Sequence, residues 1–201
     1  MRILVVGATG TIGKAVVAAL SSRHDVVSAS HTSAAEQVDI SDIASIRALL
    51  GRVGKLDAIV SAAGSAKFAP LASLTDADFQ YCFDNKLMGQ VNLVRLGMES
   101  LNQGGSITLT SGVLAQQPMP GGAAISLVNA GLEGFTRGAG LEAPRGIRVN
   151  CVSPPWVSET LTSMGMNPSG GLPAATVALS YVESVEGSAN GRIFQLAPPA
   201  A

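Results

Sequence analysis

Apolar residues along the chain form short continuous runs that alternate with longer segments in which they recur at helical spacing. The first run, residues 3–6, is β-branched and uninterrupted, which is typical of a strand covered on both faces. The turn from Gly7 to Gly13 follows it, and a helix with Val16 and Leu20 on its apolar side comes next. The chain therefore opens with a strand, a tight turn and a helix.

The same alternation continues to the end of the chain. Predicted strands cover residues 25–30, 37–40, 56–61, 106–110, 147–152 and 192–196, and predicted helices cover residues 43–53, 84–101, 124–142 and 174–185, with a further helix capped by residues 75–78. We expect residues 157–171 to be irregular and residues 198–201 to be a frayed tail. The alternation predicts an α/β fold, a Rossmann-like doubly wound parallel sheet of about seven strands with helices on both faces, in one domain over residues 1–197.

The glycine turn indicates a nucleotide. Glycines let the backbone approach a pyrophosphate, and the following helix offers unpaired N–H groups and the positive end of its dipole. A tight strand-to-helix turn without a ligand is the alternative. The order of strand, turn and helix is the context that the motif requires, so it favours a dinucleotide.

Composition and charge narrow the class of protein. The chain has 201 residues, of which 47% are hydrophobic and 13% charged, and a net charge of -1 gives no electrostatic case for nucleic acid or an anionic membrane as partner. The first residues enter a strand directly and no apolar run is long enough to span a bilayer, so we expect a cytoplasmic protein. Cys82 and Cys151 lie far apart without metal-ligand spacing, which predicts buried thiols and no metal.

Several stretches resemble the short-chain dehydrogenase/reductase family. They are Ser-Ala-Ala-Gly at 61–64, where the family has Asn-Asn-Ala-Gly, Asn-Lys-Leu-Met-Gly at 85–89, Leu-Glu-Gly-Phe-Thr-Arg at 132–137 and Arg-Gly-Ile-Arg-Val-Asn-Cys-Val-Ser-Pro at 145–154. The resemblance covers essentially the whole chain. It implies hydride transfer between a nicotinamide nucleotide and a carbonyl or alcohol, with a Tyr, a Lys, a Ser and an Asn as the site residues.

This chain departs from the family at each of those four positions. Alignment puts Ile125 where the Tyr stands and Asn129 where the Lys stands, so the Tyr-x-x-x-Lys motif is missing. Gly112 takes the place of the Ser, with Ser111 beside it, and Lys86 takes the place of the Asn. The resemblance thus indicates a short atypical member with candidate catalytic residues Lys86, Ser111 and Asn129.

Two functions follow from this departure. In the first, an oxidoreductase with an altered site, Lys86 supplies the positive charge or the proton and Ser111 orients the carbonyl group. In the second, the protein is a catalytically silent nucleotide-binding sensor or regulatory protein. Each candidate also has a structural interpretation, in which Lys86 is a surface lysine, Asn129 bonds a loop carbonyl and Ser111 belongs to an ordinary strand end.

The end of the second predicted strand bears on the choice of nucleotide. Ser30, His31 and Thr32 stand where a carboxylate would bind the ribose hydroxyls of NAD, which favours NADP(H) over NAD(H), although Glu36 is near in sequence. By resemblance, Asp39 accepts a hydrogen bond from the adenine and Ile40 packs on the ring. The predicted cofactor-binding residues are Gly7, Thr9, Gly10, Thr11, Ile12, Gly13, Ser30, His31, Thr32, Asp39, Ile40, Ala62, Ala63, Gly64, Pro154 and Val157.

The expected substrate is a small carbonyl compound or alcohol. Leu161, Met164 and Met166 would give a small or open apolar pocket. Trp156 either forms part of its wall or packs beneath the last predicted helix. The resemblance also implies a homodimer or homotetramer that associates through the helices at 84–101 and 124–142.

Overall fold

Parallel strands form the centre of the structure, a computed structural model that describes residues 1–197. Within that range seven strands make one sheet in the order β3-β2-β1-β4-β5-β6-β7. The strands are β1 Arg2–Val6, β2 Asp25–Ser30, β3 Glu36–Gln37, β4 Leu56–Ser61, β5 Leu101–Thr110, β6 Arg148–Ser153 and β7 Ile193–Gln195. The predicted fold class is confirmed, and the predicted frayed tail, residues 198–201, lies outside the described residues.

The order of the strands reverses beside β1. Its Leu4 is paired with Val27 of β2 on one side and with Ile59 of β4 on the other. The chain runs outward from β1 to β3 and then crosses back to β4, which leaves a crevice at the carboxyl ends of β1 and β4. Ligands of doubly wound sheets bind at such a crevice.

Helices cover both faces of the sheet. One apolar core includes Ile46, Leu93 and Leu132, and the other, on the opposite face, includes Val16 and Val177. The helices are α1 Thr11–Leu20, α2 Ile43–Val53, α3 Asp76–Cys82, α4 Gly89–Gly97, α5 Ala123–Glu142, α6 Ser158–Ser163 and α7 Ala174–Glu186. Of the helices in residues 1–197, none has the length and apolar character needed to span a membrane.

The predicted strand at 37–40 is wrong in its bounds, since only Glu36–Gln37 pairs with β2. The polar residues after it bind the local backbone instead. The Asp39 amide donates to Ser45 Oγ at 2.9 Å, and the Ser41 amide donates to Asp39 Oδ1 at 2.9 Å. These side chains compete with the ladder and end the strand early.

The predicted helix start near residue 84 is also wrong. A reciprocal capping box between Thr75 and Asp78 starts α3, as the sequence indicates, but the chain stays helical beyond it. A π-helical segment, Phe83–Met88, joins α3 to α4, because no glycine or proline interrupts the chain there. Strand β5 correspondingly begins at residue 101, earlier than the predicted 106.

Residues 157–171, expected to be irregular, contain α6 and a single turn of 3-10 helix, Pro168–Gly170. Leu161 is buried and anchors α6, and Glu159 of that helix accepts hydrogen bonds from the Ala174 amide at the start of α7. The segment is therefore ordered by one apolar anchor and one capping side chain.

Candidate active site

The turn after β1 is shaped by two close backbone contacts. Gly7 has φ +85°, and a Cβ there would lie 2.7 Å from the Ala62 carbonyl group. A Cβ on Gly13 would lie 1.9 Å from the Gly7 carbonyl oxygen. Only glycine fits at both positions, so Gly13 and Ala62 shape the turn from behind.

The N-terminus of α1 has no side-chain cap. Its N-cap residue is Gly10, and the Lys14 amide makes the first intrahelical hydrogen bond, to Gly10, at 2.9 Å. The preceding N–H groups of the helix are therefore free to bind an anion. They face a cavity of about 620 Å³ lined by Thr9, Gly10, Thr11, Lys14, Ala15, Glu159, Ala174 and Ala175.

A second cavity, of about 210 Å³, lies at the crevice between β1 and β4. It gathers predicted cofactor residues from four separate turns. Its lining residues are Val6, Gly7, Ser30, His31, Val38, Asp39, Ile40, Ala63, Gly64, Ser65 and Asn85.

Asp39 is held in a fixed orientation at this cavity. Its Oδ1 accepts hydrogen bonds from the amide and the hydroxyl of Ser41, at 2.9 and 2.6 Å. These bonds keep the pKa of the Asp39 carboxyl below its usual value, with a smaller contribution from His31. His31 Nε2 lies 3.8 Å from Asp39 Oδ2, the oxygen turned away from Ser41.

Glu36 is the carboxylate near the end of β2 that could favour NAD(H), and it forms an ion pair with Arg52. Its Oε2 accepts a hydrogen bond from Arg52 Nε at 2.8 Å. Ser30 is buried at the end of β2, whereas Thr32 is exposed in the loop that follows. Of the three predicted residues there, Ser30 and His31 line the cavity and Thr32 lies outside its lining.

A third cavity, of about 290 Å³, brings together Lys86, Gly112, Ile125 and Asn129, the four positions at which a departure from the family pattern is expected, and Ser111 as well. They come from the π-helical segment, the end of β5 and α5. The lining residues are Ile12, Lys86, Ser111, Gly112, Val113, Leu114, Ile125, Asn129, Pro154, Pro155, Trp156, Val157 and Thr160.

Lys86 is half-buried and does not extend along the surface. Its side chain packs over Gly64, where a Cβ would lie 3.0 Å from Lys86 Cδ. Burial lowers the pKa of Lys86 to about 8. No salt bridge to Lys86 forms within residues 1–197.

Asn129 carries a buried polar atom without a partner. Its Nδ2 makes one long contact, 3.5 Å, with the Gly112 carbonyl oxygen, and its Oδ1 accepts no hydrogen bond from the described residues. An unsatisfied buried acceptor is costly.

Ser111 is buried and donates a hydrogen bond from its Oγ to Glu133 Oε1 at 3.0 Å. The Cys151 thiol is also near Ser111, and burial raises its pKa to about 11, so that it remains protonated and poorly nucleophilic near neutral pH. Sequence reasoning used Glu133 only as part of a family stretch and missed its burial. Its spacing of four residues from Asn129, on one helix face, was the available signal.

Neither tyrosine of the chain takes the place of the family's proton donor. Tyr181 is fully buried in α7, where its hydroxyl lies 2.6 Å from Thr110 Oγ1, and burial raises its pKa. Tyr81 is exposed on α3. The third cavity is lined by Ile125 and by neither tyrosine.

The structure adds Asn85 to the predicted set and removes two methionines from the expected pocket. Asn85 was not predicted, and its Oδ1 accepts a hydrogen bond from the Ser65 amide at 2.7 Å, which fixes the loop after Gly64. Met164 and Met166 are largely exposed, with 54% and 49% of their surface accessible, so they do not wall the pocket as expected. In residues 1–197 there is no cluster of His, Cys, Asp or Glu that could hold a metal ion.

The fold and the cavities along its carboxyl edge define a Rossmann-like protein of the dinucleotide-binding type. A family model described as enoyl-(acyl carrier protein) reductase matches residues 7–186. The chain belongs to the short-chain dehydrogenase/reductase family, a family of oxidoreductases.

Among solved structures, the protein lin1944 from Listeria innocua is 42% identical, with a TM-score of 0.94 over 98% of this chain and 100% of that one. A small-chain dehydrogenase in complex with NADPH is 27% identical, with a TM-score of 0.86 over 98% of this chain and 96% of that one. Hydroxynaphthalene reductase arp2 from Aspergillus fumigatus is 32% identical over 130 residues, which cover 62% of this chain and 48% of the relative. The chain spans about half the length of the curated relatives it matches first.

Proposed function

We propose that the protein is an NADP(H)-dependent oxidoreductase that interconverts a small carbonyl compound and its alcohol with an altered set of site residues. The observation that carries this proposal is the convergence of Lys86, Ser111 and Asn129 on one cavity, close to the glycine turn. These residues come from three separate elements, and all three line the same space. Convergent polar groups in an apolar pocket are typical of a reaction site.

The residues present fit a nicotinamide nucleotide. The uncapped start of α1 suits the pyrophosphate, and the cavity at Asp39 suits the adenosine half. Asn129 and Ser111 line the cavity that suits the nicotinamide half. When bound, the reduced nucleotide supplies a hydride to the carbonyl carbon.

NADP(H) is favoured because no carboxylate stands at the end of β2 to repel a 2′-phosphate. Ser30 and His31 line the cavity there. Glu36 is engaged by Arg52 and is held away from the ribose position. A solved relative is a complex with NADPH, which supports the same preference.

Within the pocket, each candidate residue has a distinct role. Lys86 supplies a positive charge, or a proton, near the carbonyl oxygen, because burial brings its pKa close to neutrality. Ser111 orients the carbonyl group. Ile12, Ile125 and Trp156 form apolar walls that exclude water.

The family resemblance places a homodimer or homotetramer contact on α4 and α5, and we propose that this chain associates in the same way. A groove of about 490 Å³ runs between these helices and is lined by Val94, Arg95, Met98, Phe135, Gly138, Ala139 and Glu142.

A nucleotide-binding sensor without turnover is the second candidate function. Ile125 supports it, because a leucine-sized aliphatic side chain at the tyrosine position cannot donate a proton. In that case the pocket would bind the nucleotide and carry out no redox reaction.

Titration of the purified protein with NADPH and NADH, followed by turnover assays with phenanthrenequinone, nitrobenzaldehyde and acetone, tests the proposal. We expect tighter binding of NADPH and oxidation of NADPH with at least one carbonyl compound, both in wild type and in the surface control Lys55→Ala. Lys86→Ala should abolish turnover and leave NADPH bound. Binding without turnover would favour the sensor, and no binding of either nucleotide would refute both functions.

A further inference from the structure

We propose that the buried carboxyl group of Glu133 acts through Ser111 as the source of the proton that the carbonyl oxygen takes up. This inference rests on the proposed oxidoreductase function and deepens it. It assigns a donor to the role that the missing tyrosine leaves open, and it leaves Lys86 with the positive charge. Glu133 is in this sense a positioning residue, since it reaches the substrate only through Ser111.

Glu133 is buried directly behind the pocket. Only 4% of its surface is exposed, and its Oε1 accepts the Ser111 hydroxyl at 3.0 Å. The side-chain amide of Gln116 donates to both carboxyl oxygens. Arg137, one turn further along α5, reaches to within 3.7 Å of Oε2, and its side chain is 58% exposed. The carboxyl group thus connects a pocket residue with a solvent-exposed one.

The single hydroxyl proton of Ser111 decides what Ser111 can do. While Glu133 is ionised, Ser111 donates this proton to the carboxylate and offers only lone pairs to the pocket. It cannot then donate to a carbonyl oxygen. When Glu133 is protonated, the carboxyl group donates to Ser111 Oγ, and the Ser111 proton is free to turn toward the substrate.

The step balances in both directions. In reduction, the carbonyl carbon takes up the hydride from the dihydronicotinamide, and the carbonyl oxygen takes up the Ser111 proton. Ser111 is at once reprotonated by Glu133, which becomes a carboxylate and regains its proton from solvent at the Arg137 end. In oxidation, the alcohol O–H donates to Ser111, and the Ser111 proton passes to the Glu133 carboxylate as the hydride leaves the carbon.

The charged and titratable groups around Glu133 come from three elements. Arg137 lies on its own helix, and Cys151 of β6 lies on the sheet side. Lys86, from the π-helical segment, interacts electrostatically with the same Cys151 thiol. Burial raises the pKa of this thiol to about 11, so it carries no charge near neutral pH.

The first test needs no nucleotide. Urea unfolding of wild type, Ser111→Ala, Glu133→Gln and the double variant measures how strongly the two side chains are coupled. A hydrogen bond to a charged group implies a departure from additivity of about tenfold or more in the unfolding equilibrium constant. Additive effects at pH 7 would overturn the pairing on which the relay depends.

The second test separates a relay from a purely structural carboxylate. At saturating NADPH and phenanthrenequinone, we expect Glu133→Gln to lower kcat by about 10²-fold to 10⁴-fold, the range of general acid catalysis, with the Kd of NADPH unchanged. The fall of log kcat near pH 8 that belongs to Lys86 should remain in this variant. Glu183→Gln, which changes an exposed glutamate of α7, is the control and should keep the wild-type kcat.

If Glu133→Gln does not fold, the same comparison can be made with Ser111→Ala and Ser111→Thr. Ser111→Ala should lower kcat to a similar extent with the Kd of NADPH unchanged, and Ser111→Thr, which keeps a hydroxyl, should restore kcat. A folded Glu133→Gln with wild-type kcat would overturn the relay and leave the oxidoreductase function standing. Wild-type protein that binds NADPH and reduces none of the carbonyl compounds would overturn both.

Discussion

Lys86 is expected to destabilise the folded protein, and its replacement by Met tests this expectation. The side chain is half-buried beside Gly64, and within the described residues it has no ion-pair partner to offset the loss of hydration. Methionine keeps the length of the side chain and removes the ammonium group. Lys86→Met should therefore be more stable than wild type at neutral pH.

The size of the effect follows from the pKa. Burial lowers the pKa of Lys86 from 10.5 to about 8. At 1.36 kcal/mol for each pH unit, this difference corresponds to at most about 3 kcal/mol of destabilisation. Residual solvent contact of the partly exposed side chain reduces the effect, so an increase of about 1–3 kcal/mol in the free energy of unfolding is expected.

The sign of the pH dependence gives a second readout. Between pH 8 and 10.5 the unfolded chain holds the Lys86 proton more tightly than the folded protein does. Wild-type stability should therefore rise with pH across this window. Lys86→Met lacks that rise, so the difference between the two proteins should be largest below pH 8 and should disappear above pH 10.5.

Urea denaturation followed by the fluorescence of Trp156 at several pH values between 6 and about 10.5 measures both quantities. Lys67→Met, which removes an exposed lysine, is the control for a general change in net charge. A less stable Lys86→Met variant, or a stability difference that does not change with pH, would refute the argument that the ammonium is desolvated.

Three further predictions concern the turn, the buried tyrosine and the nucleotide preference. Gly13→Ala should disrupt the turn, because its Cβ would lie 1.9 Å from a carbonyl oxygen, and a fluorescence titration should show that NADPH binding is lost. Gly51→Ala is the control, because the space around its Cβ is open, and urea denaturation should show a gain in stability of about 0.5–1 kcal/mol. Tyr181→Phe removes the 2.6 Å contact with Thr110, so the free energy of unfolding measured in urea should fall by about 1 kcal/mol while kcat stays unchanged. A loss of turnover in the folded variant would contradict the placement of this tyrosine outside the site. His31→Asp places a carboxylate at the end of β2, so NADPH should bind more weakly and NADH more tightly. Equal effects on the two nucleotides would show that this position does not determine the preference for NADPH.

The parts of the fold that depend on local chemistry were predicted well. The β-branched run 3–6, the glycine turn and the capping residue Thr75 each act on residues close to them in the chain, so their structural consequences follow from the sequence. The bounds of strands and helices were predicted poorly where side-chain and backbone hydrogen bonds compete. The third strand ends early because Asp39 and Ser41 bond to the local backbone, and the helix before β5 starts early because nothing interrupts it.

The sequence by itself thus determined the class of fold, the order of its elements and the position of the nucleotide turn, since apolar periodicity and glycine sterics are local. Only the tertiary structure decided which polar groups meet. Lys86, Ser111 and Asn129 come together because parallel strands end at one edge of the sheet and helices pack across it. The burial of Glu133 against Ser111, 22 residues away in the chain, depends on how α5 packs on β5 and β6. Contacts between such distant elements are fixed by packing of the whole sheet, which the spacing of residues along the chain does not specify.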